Sequence, residues 1–132
     1  MYELLILASE ESSPSLEKLE AAVRAEFAAQ APPQPIVTAI KADKLTVSVE
    51  SFHFFIGFAD QPHVLEESIE IAAEFAADRP DRAGIAKASC RFELSSDDDP
   101  DMDHLNDMLF ICHAAESLGA VYIFDPQEGE FH

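Results

Sequence analysis

Residues 45–58, LTVSVESFHFFIGF, decide the fold of this 132-residue chain. Apolar side chains recur at every second position, first in residues 45–49 and again from Phe52 onward. A period of two is typical of a strand with one buried face. The phase of the alternation changes at Glu50 and Ser51, so the pattern predicts two strands that meet at a tight turn.

Working outward from this hairpin, strand and helix patterns alternate along the chain. Four further strands are predicted at residues 4–8, 36–40, 86–94 and 120–124. Three helices are predicted at residues 14–30, 62–78 and 101–118. The stretch 4–8 is apolar throughout, which indicates a central strand buried on both faces. In the second helix, the predicted apolar stripe consists of Leu65, Ile69, Ala72 and Ala76, and it is widened by Val64, Ile71 and Phe75.

This order of elements predicts one α+β domain that covers residues 1–132. Adjacent hairpin strands mixed with helices argue against a doubly wound parallel sheet. The expected architecture is a single, mostly antiparallel sheet in the order β-α-β-β-β-α-β-α-β, with three helices packed mainly on one face.

The net charge limits the classes of partner. The chain has 26 acidic residues against 8 Lys and Arg, a formal charge of −18. Nucleic acids and anionic membranes are bound through clustered cations, so neither is an expected partner. The same charge favours encounter with a basic protein, although acidity that only serves solubility remains the plainer alternative.

The two cysteines, Cys90 and Cys112, lie at apolar positions of a predicted strand and helix. No secretory signal is recognisable at residues 1–13, where Glu3 stands in place of basic residues. We therefore expect a cytoplasmic protein whose thiols are reduced, buried and on the same side of the sheet.

No stretch of the chain is a specific metal-binding or catalytic motif. Asp99, Asp101 and Asp103 have the spacing that opens a calcium loop, but the sixth and twelfth loop positions are His104 and Phe110 instead of Gly and Glu. The acidic run is therefore interpreted as electrostatics at a helix N-terminus. Nucleophile elbows and phosphate-binding glycine loops are absent as well. The expectation is no metal, no cofactor and no catalytic residue, with enzyme activity left open.

One polar sheet face is the candidate binding site. Polar residues alternate with apolar ones in the hairpin and in the predicted strand 86–94. The candidate binding residues are His53, Phe55, Lys87 and Arg91. Arginine and exposed aromatic side chains are the types that anchor interfaces. An ordinary solvated face with cross-strand ion pairs is the alternative.

Three later segments carry a resemblance to known proteins. These are GFADQPHVLEESIEIAAEFA at residues 57–76, FELSSDDD at residues 92–99 and GAVYIFDPQEGEF at residues 119–131. This C-terminal half resembles a family of uncharacterised small bacterial α+β domains. The phrase VYIFDPQEG is also similar to the ends of small acidic immunity proteins that neutralise bacterial toxins. Neither resemblance implies catalytic residues.

Together these observations favour a small acidic cytoplasmic protein that binds another protein, in an immunity-like or regulatory role without catalysis. The partner is expected to be a protein, with a basic one favoured by charge and a second copy of the chain as an alternative. A small-molecule-binding protein or enzyme is the competing hypothesis, with His53, Arg91 and Glu93 gathered on the polar sheet face.

Overall fold

A computed structural model describes all 132 residues. Its seven strands form one antiparallel sheet in the order β2-β3-β4-β5-β1-β6-β7. The strands are β1 Glu3–Ala8, β2 Val37–Lys41, β3 Lys44–Val49, β4 Phe52–Ala59, β5 Cys90–Ser96, β6 Val121–Asp125 and β7 Glu130–Phe131. The predicted α+β class and single antiparallel sheet are confirmed, and the 45–58 stretch is the β3–β4 hairpin.

Four helices accompany the sheet, one more than predicted. They are α1 Leu16–Ala28, α2 Pro62–Phe75, α3 Arg82–Ala86 and α4 Leu105–Glu116. The additional helix, α3, lies in residues to which no element was assigned and overlaps the predicted strand 86–94 only at Ala86. It forms one short turn in which Ile85 is buried.

Helices α1 and α4 pack against each other on one face of the sheet. Their side chains join those of β1, β3, β4 and β5 in the main core, where Phe27, Phe54 and Phe92 are fully buried. The Phe110 ring of α4 meets the Phe27 ring of α1 edge to face, with 5.4 Å between centroids. This contact joins the two helices above the sheet.

Helices α2 and α3 lie on the opposite face, where they cover only part of the sheet, so the helices are divided between the two faces and do not pack mainly on one. Ile6 belongs to the main core, whereas the next residue, Leu7, belongs to a second cluster with Ile71 of α2 and Ile85 of α3. Successive strand residues point to opposite faces. Strand β1 lies between β5 and β6 and is covered on both sides, as its apolar sequence predicted. The second cluster centres on β1 and β6, so it does not reach β2 and β3.

The predicted apolar stripe of α2 is partly wrong. The helix buries Val64, Ser68, Ile71 and Ala72, whereas Leu65 and Ile69 face solvent. Ser68 can be buried because its hydroxyl donates a hydrogen bond of 2.9 Å to the Val64 carbonyl one turn earlier. Ser68, with its hydroxyl hydrogen-bonded, therefore lies on the buried side of α2, where the apolar pattern had placed Leu65.

Two helix starts also differ from prediction. Helix α1 is capped by Ser15, whose hydroxyl accepts from the Lys18 amide, while Ser13 ends the preceding 3-10 turn with φ 48°. Helix α4 begins at Leu105 because residues up to Asp103 form turns. None of the four helices has the length and apolar character needed to cross a bilayer.

Candidate binding surface on the open sheet face

Part of the sheet lies beyond the cover of α2 and α3, on the side opposite α1 and α4. Strand register places three rows of side chains there, because Val37 pairs with Ser48, Ala39 with Thr46, and Lys44 with Gly57. We call this surface the open face. Its members are Val37, Ala39, Lys41, Lys44, Thr46, Ser48, His53, Phe55 and Gly57.

The open face carries apolar surface that no other element of the chain covers. Val37 on the edge strand is 70% exposed, the largest value for any bulky hydrophobic residue here. The rings of His53 and Phe55 stack on each other, with 6.1 Å between centroids and 16° between planes. Both rings are partly exposed. Ser48 lies between Val37 and His53 in the strand register, so the valine and the aromatic pair are two separate apolar groups on one face.

His53 is held in place by Asp97, just past the end of β5. Its ring Nδ1 lies 2.9 Å from Asp97 Oδ2, and its backbone amide donates to the same oxygen at 2.9 Å. The Asp97 amide donates in return to the His53 carbonyl at 3.1 Å. The hydrogen bond from the imidazole lowers the pKa of the Asp97 carboxyl. These bonds fix the orientation of the imidazole, on which the Phe55 ring stacks.

A depression lies beside Phe55 and has Gly57 as its floor. A Cβ atom added at Gly57 would meet nothing within 4 Å, so the space above the glycine is open. The depression holds about 350 Å³ and is bordered by both apolar and charged side chains. Its rim includes Glu3, Leu5, Lys44, Phe55, Glu93 and Pro126. A side chain or small ligand could enter here without moving the backbone.

The electrostatics of this region differ from those of the rest of the chain. Residues 37–59 contain two lysines and two acids, so their charges cancel, while the whole chain carries −18. Both acids, Asp43 and Glu50, lie in the hairpin turns and not on the open face. The open face itself therefore carries lysines and no carboxylate, while Glu3, Glu93 and Asp97 border it.

The structure brings two of the four sequence-predicted binding residues together. His53 and Phe55 stack on the open face, as described. Lys87 is not on a strand at all, because it follows α3 as the residue that ends that helix. The strand prediction for 86–94 began too early, since β5 starts at Cys90.

The placement of Arg91 on the open face is wrong. Its side chain is only 6% exposed and lies on the same side of the sheet as Leu7, among the residues near α2. The guanidinium donates to Glu93 at 2.9 Å and to Glu67 of α2 at 3.2 Å. Arg91 thus pins α2 to the sheet. Desolvating a cation is tolerated because two carboxylates pair with it.

The three residues suggested for an enzyme do not converge. Arg91 and Glu93 are in contact, but His53 is level with Asp97, four residues farther along β5. Four strand residues span about 13 Å. The hypothesis of a joint site of His53, Arg91 and Glu93 therefore lacks its geometry. No group of three or more His, Cys, Asp or Glu side chains that could hold a metal ion occurs in the structure.

The alternation placed Gly57 on the same face as His53 and Phe55 without giving it a role in binding, and sequence reasoning missed Lys44 and Val37. An isolated glycine within a phenylalanine-rich strand was the available signal, because such a glycine often marks close approach by another molecule. Val37 gave no signal, since its exposure depends on which elements leave β2 uncovered.

Comparison with known proteins gave no match: no family model fits the chain, and neither a curated protein nor a solved structure is significantly similar.

Proposed function

We propose that this protein acts by binding another protein through the open face. The observation that carries the proposal is a sheet face without carboxylates of its own, with an exposed valine and a stacked His53–Phe55 pair, on a chain of charge −18. A stacked aromatic pair left uncovered on a sheet face supports binding of a partner there. Charge depletion with aromatic enrichment is also the composition of interface centres.

The depression beside Phe55 supports a cationic anchor from a basic partner. Glu3 and Glu93 on its rim can pair with a lysine or arginine, and the Phe55 ring can face the cation. Lys44 on the opposite rim would form an ion pair with an acidic residue of the partner next to that lysine or arginine. A basic partner would also be attracted by the acidic remainder of the surface, which speeds encounter at low salt.

An immunity-like or regulatory role in the cytoplasm is the form of this proposal that we favour. Binding and masking a basic protein requires a complementary surface and no catalytic residue. Free, buried thiols at Cys90 and Cys112 support a reducing compartment.

Partner capture tests the proposal. The parent protein and the variants Gly57→Val and Phe55→Ala would be used to capture proteins from bacterial lysate at low and high salt. Valine fills the depression, and β-branched residues suit a strand, so Gly57→Val should keep the melting temperature or raise it. We expect both variants to lose a protein that the parent retains at low salt.

Leu109→Ser is the matched control, because Leu109 is 43% exposed on α4, away from the open face. Retention of the same protein by Gly57→Val would count against the open face. A parent mass of two chains by light scattering, reduced to one by Gly57→Val, would identify the partner as a second copy.

A small molecule in the same depression is the second candidate function. Its volume of about 350 Å³ lies at the lower end of the range for ligand sites. Thermal-shift measurement of the purified protein against a metabolite panel would detect such a ligand. A shift that Gly57→Val abolishes, without any captured protein, would favour this candidate.

A further inference from the structure

Helix α2 has a wider apolar surface than the sheet can cover. One side of the helix is buried by Val64 and Ile71, yet Leu65 and Ile69, one turn apart, are 40% and 52% exposed. A surface helix with a single apolar stripe can bury all of that stripe against the sheet. Here the apolar arc continues past the contact with the sheet into solvent.

A row of like charges borders this exposed apolar strip. Glu66, Glu70 and Glu74 are four residues apart, all exposed, and none forms a salt bridge. The sequence of α2 contains no Lys or Arg. Like charges at this spacing destabilise a helix, so the row favours cations supplied from outside. Arg91, which contacts α2 through Glu67, does not pair with this row.

We propose that the outer face of α2, formed by Leu65, Ile69, Glu66, Glu70 and Glu74, binds an amphipathic helical segment of another protein. The segment would place apolar side chains one turn apart on Leu65 and Ile69, flanked by Lys or Arg opposite the glutamates. A second copy of this chain fits poorly, because pairing two α2 helices would bring two glutamate rows together. This surface is separate from the open face and does not depend on it.

The test uses a labelled peptide of about four helical turns, made only of Leu and Lys with leucines at helical spacing. Fluorescence anisotropy would follow its binding to the intact protein. A peptide of the same composition, scrambled to remove the apolar face, measures attraction by charge alone. We expect the patterned peptide to bind at least about tenfold more tightly than the scrambled one.

Matched variants locate the site. Leu65→Ser with Ile69→Ser should weaken the patterned peptide about tenfold or more, whereas Leu109→Ser on α4 should not. Replacing the three glutamates of the row by Gln should weaken binding more than the same change at Glu116, Glu128 and Glu130, which removes equal charge from exposed positions elsewhere.

Three results would overturn the proposal. The first is failure of the parent to prefer the patterned peptide. The second is an equal effect of the α2 variants and their controls. The third is loss of the peptide on Phe55→Ala, which would assign binding to the open face.

Discussion

At the scale of single residues, Arg91 shows how burial reverses an interpretation. Alternation in β5 placed Arg91 and Glu93 on the same, polar side of the strand. Glu93 is exposed there, whereas the guanidinium of Arg91 is buried. Helix α2 covers that end of the strand and supplies Glu67 as a partner. An arginine proposed as an exposed anchor is instead a buried link between helix and sheet.

Replacing Arg91 with Ala should therefore lower the free energy of unfolding by about 2 kcal/mol. The value lies below that of fully buried pairs because Glu67 and Glu93 are half exposed and can be hydrated. Urea denaturation measures it. Lys87→Ala, at an exposed cation without an ion pair, should have almost no effect. Equal stability of the two variants would show that Arg91 does not hold α2.

The two buried cysteines should make the free energy of unfolding depend on pH in the alkaline range. Burial raises the pKa of Cys90 to about 11 and that of Cys112 to about 12, from an ordinary 9.0. Between pH 9 and pH 11 the unfolded chain loses thiol protons that the folded chain keeps. Stability should be unaffected below pH 9 and fall above it.

Chemical denaturation at several pH values tests this dependence. The Cys90→Ala, Cys112→Ala variant should lose less stability over the same interval, with Tyr2, whose pKa burial raises to about 12, still contributing. Rapid labelling of both native thiols near pH 8 would contradict the burial on which the argument depends.

At the scale of elements, the turn before α4 shows what the acidic run does. Asp99 accepts hydrogen bonds from the Tyr2 hydroxyl at 2.6 Å and from the backbone amides of Asp103 and His104 at 3.1 and 2.8 Å. The predicted role at a helix N-terminus is wrong, because the run precedes the helix and no side chain caps it; Asp99 instead holds the turn that leads into α4. It also ties the α4 entry to the first strand through Tyr2.

Replacing Asp99 with Ala should lower the melting temperature measurably, because three donors lose their acceptor. Asp101→Ala and Asp103→Ala should change it little, since neither side chain forms a hydrogen bond in the structure. Thermal denaturation followed by circular dichroism compares the three. Similar losses in all three variants would mean that charge near the helix, and not the hydrogen bonds of Asp99, stabilises this region.

At the scale of the whole molecule, the charge of −18 opposes the compact state. Repulsion among exposed carboxylates is screened by salt, and the screening length falls from about 30 Å at 0.01 M to about 3 Å at 1 M. We expect the melting temperature to rise steadily with NaCl over that range.

The variant with Gln at Glu116, Glu128 and Glu130 is the control. It should melt higher than the parent at low salt and show a smaller rise, because part of the repulsion has been removed. A melting temperature that does not respond to salt would show that the carboxylates are too far apart to repel.

The sequence by itself determined the α+β class, the β3–β4 hairpin and the central position of β1. These follow from local alternation and continuous apolar runs, which each strand carries within its own residues. The net negative charge and the burial of both cysteines could also be predicted from the sequence. Of the candidate surface, Phe55 and His53 could be placed on a common face from their spacing alone.

Only the tertiary structure decided which faces are covered. The exposure of Val37, the depression above Gly57, the rotation that leaves Leu65 and Ile69 in solvent, and the burial of Arg91 all depend on where α2 crosses the sheet. A periodic pattern states which side chains share a face, but not what packs against it. That outcome is set by contacts between residues distant in sequence, such as Arg91 with Glu67.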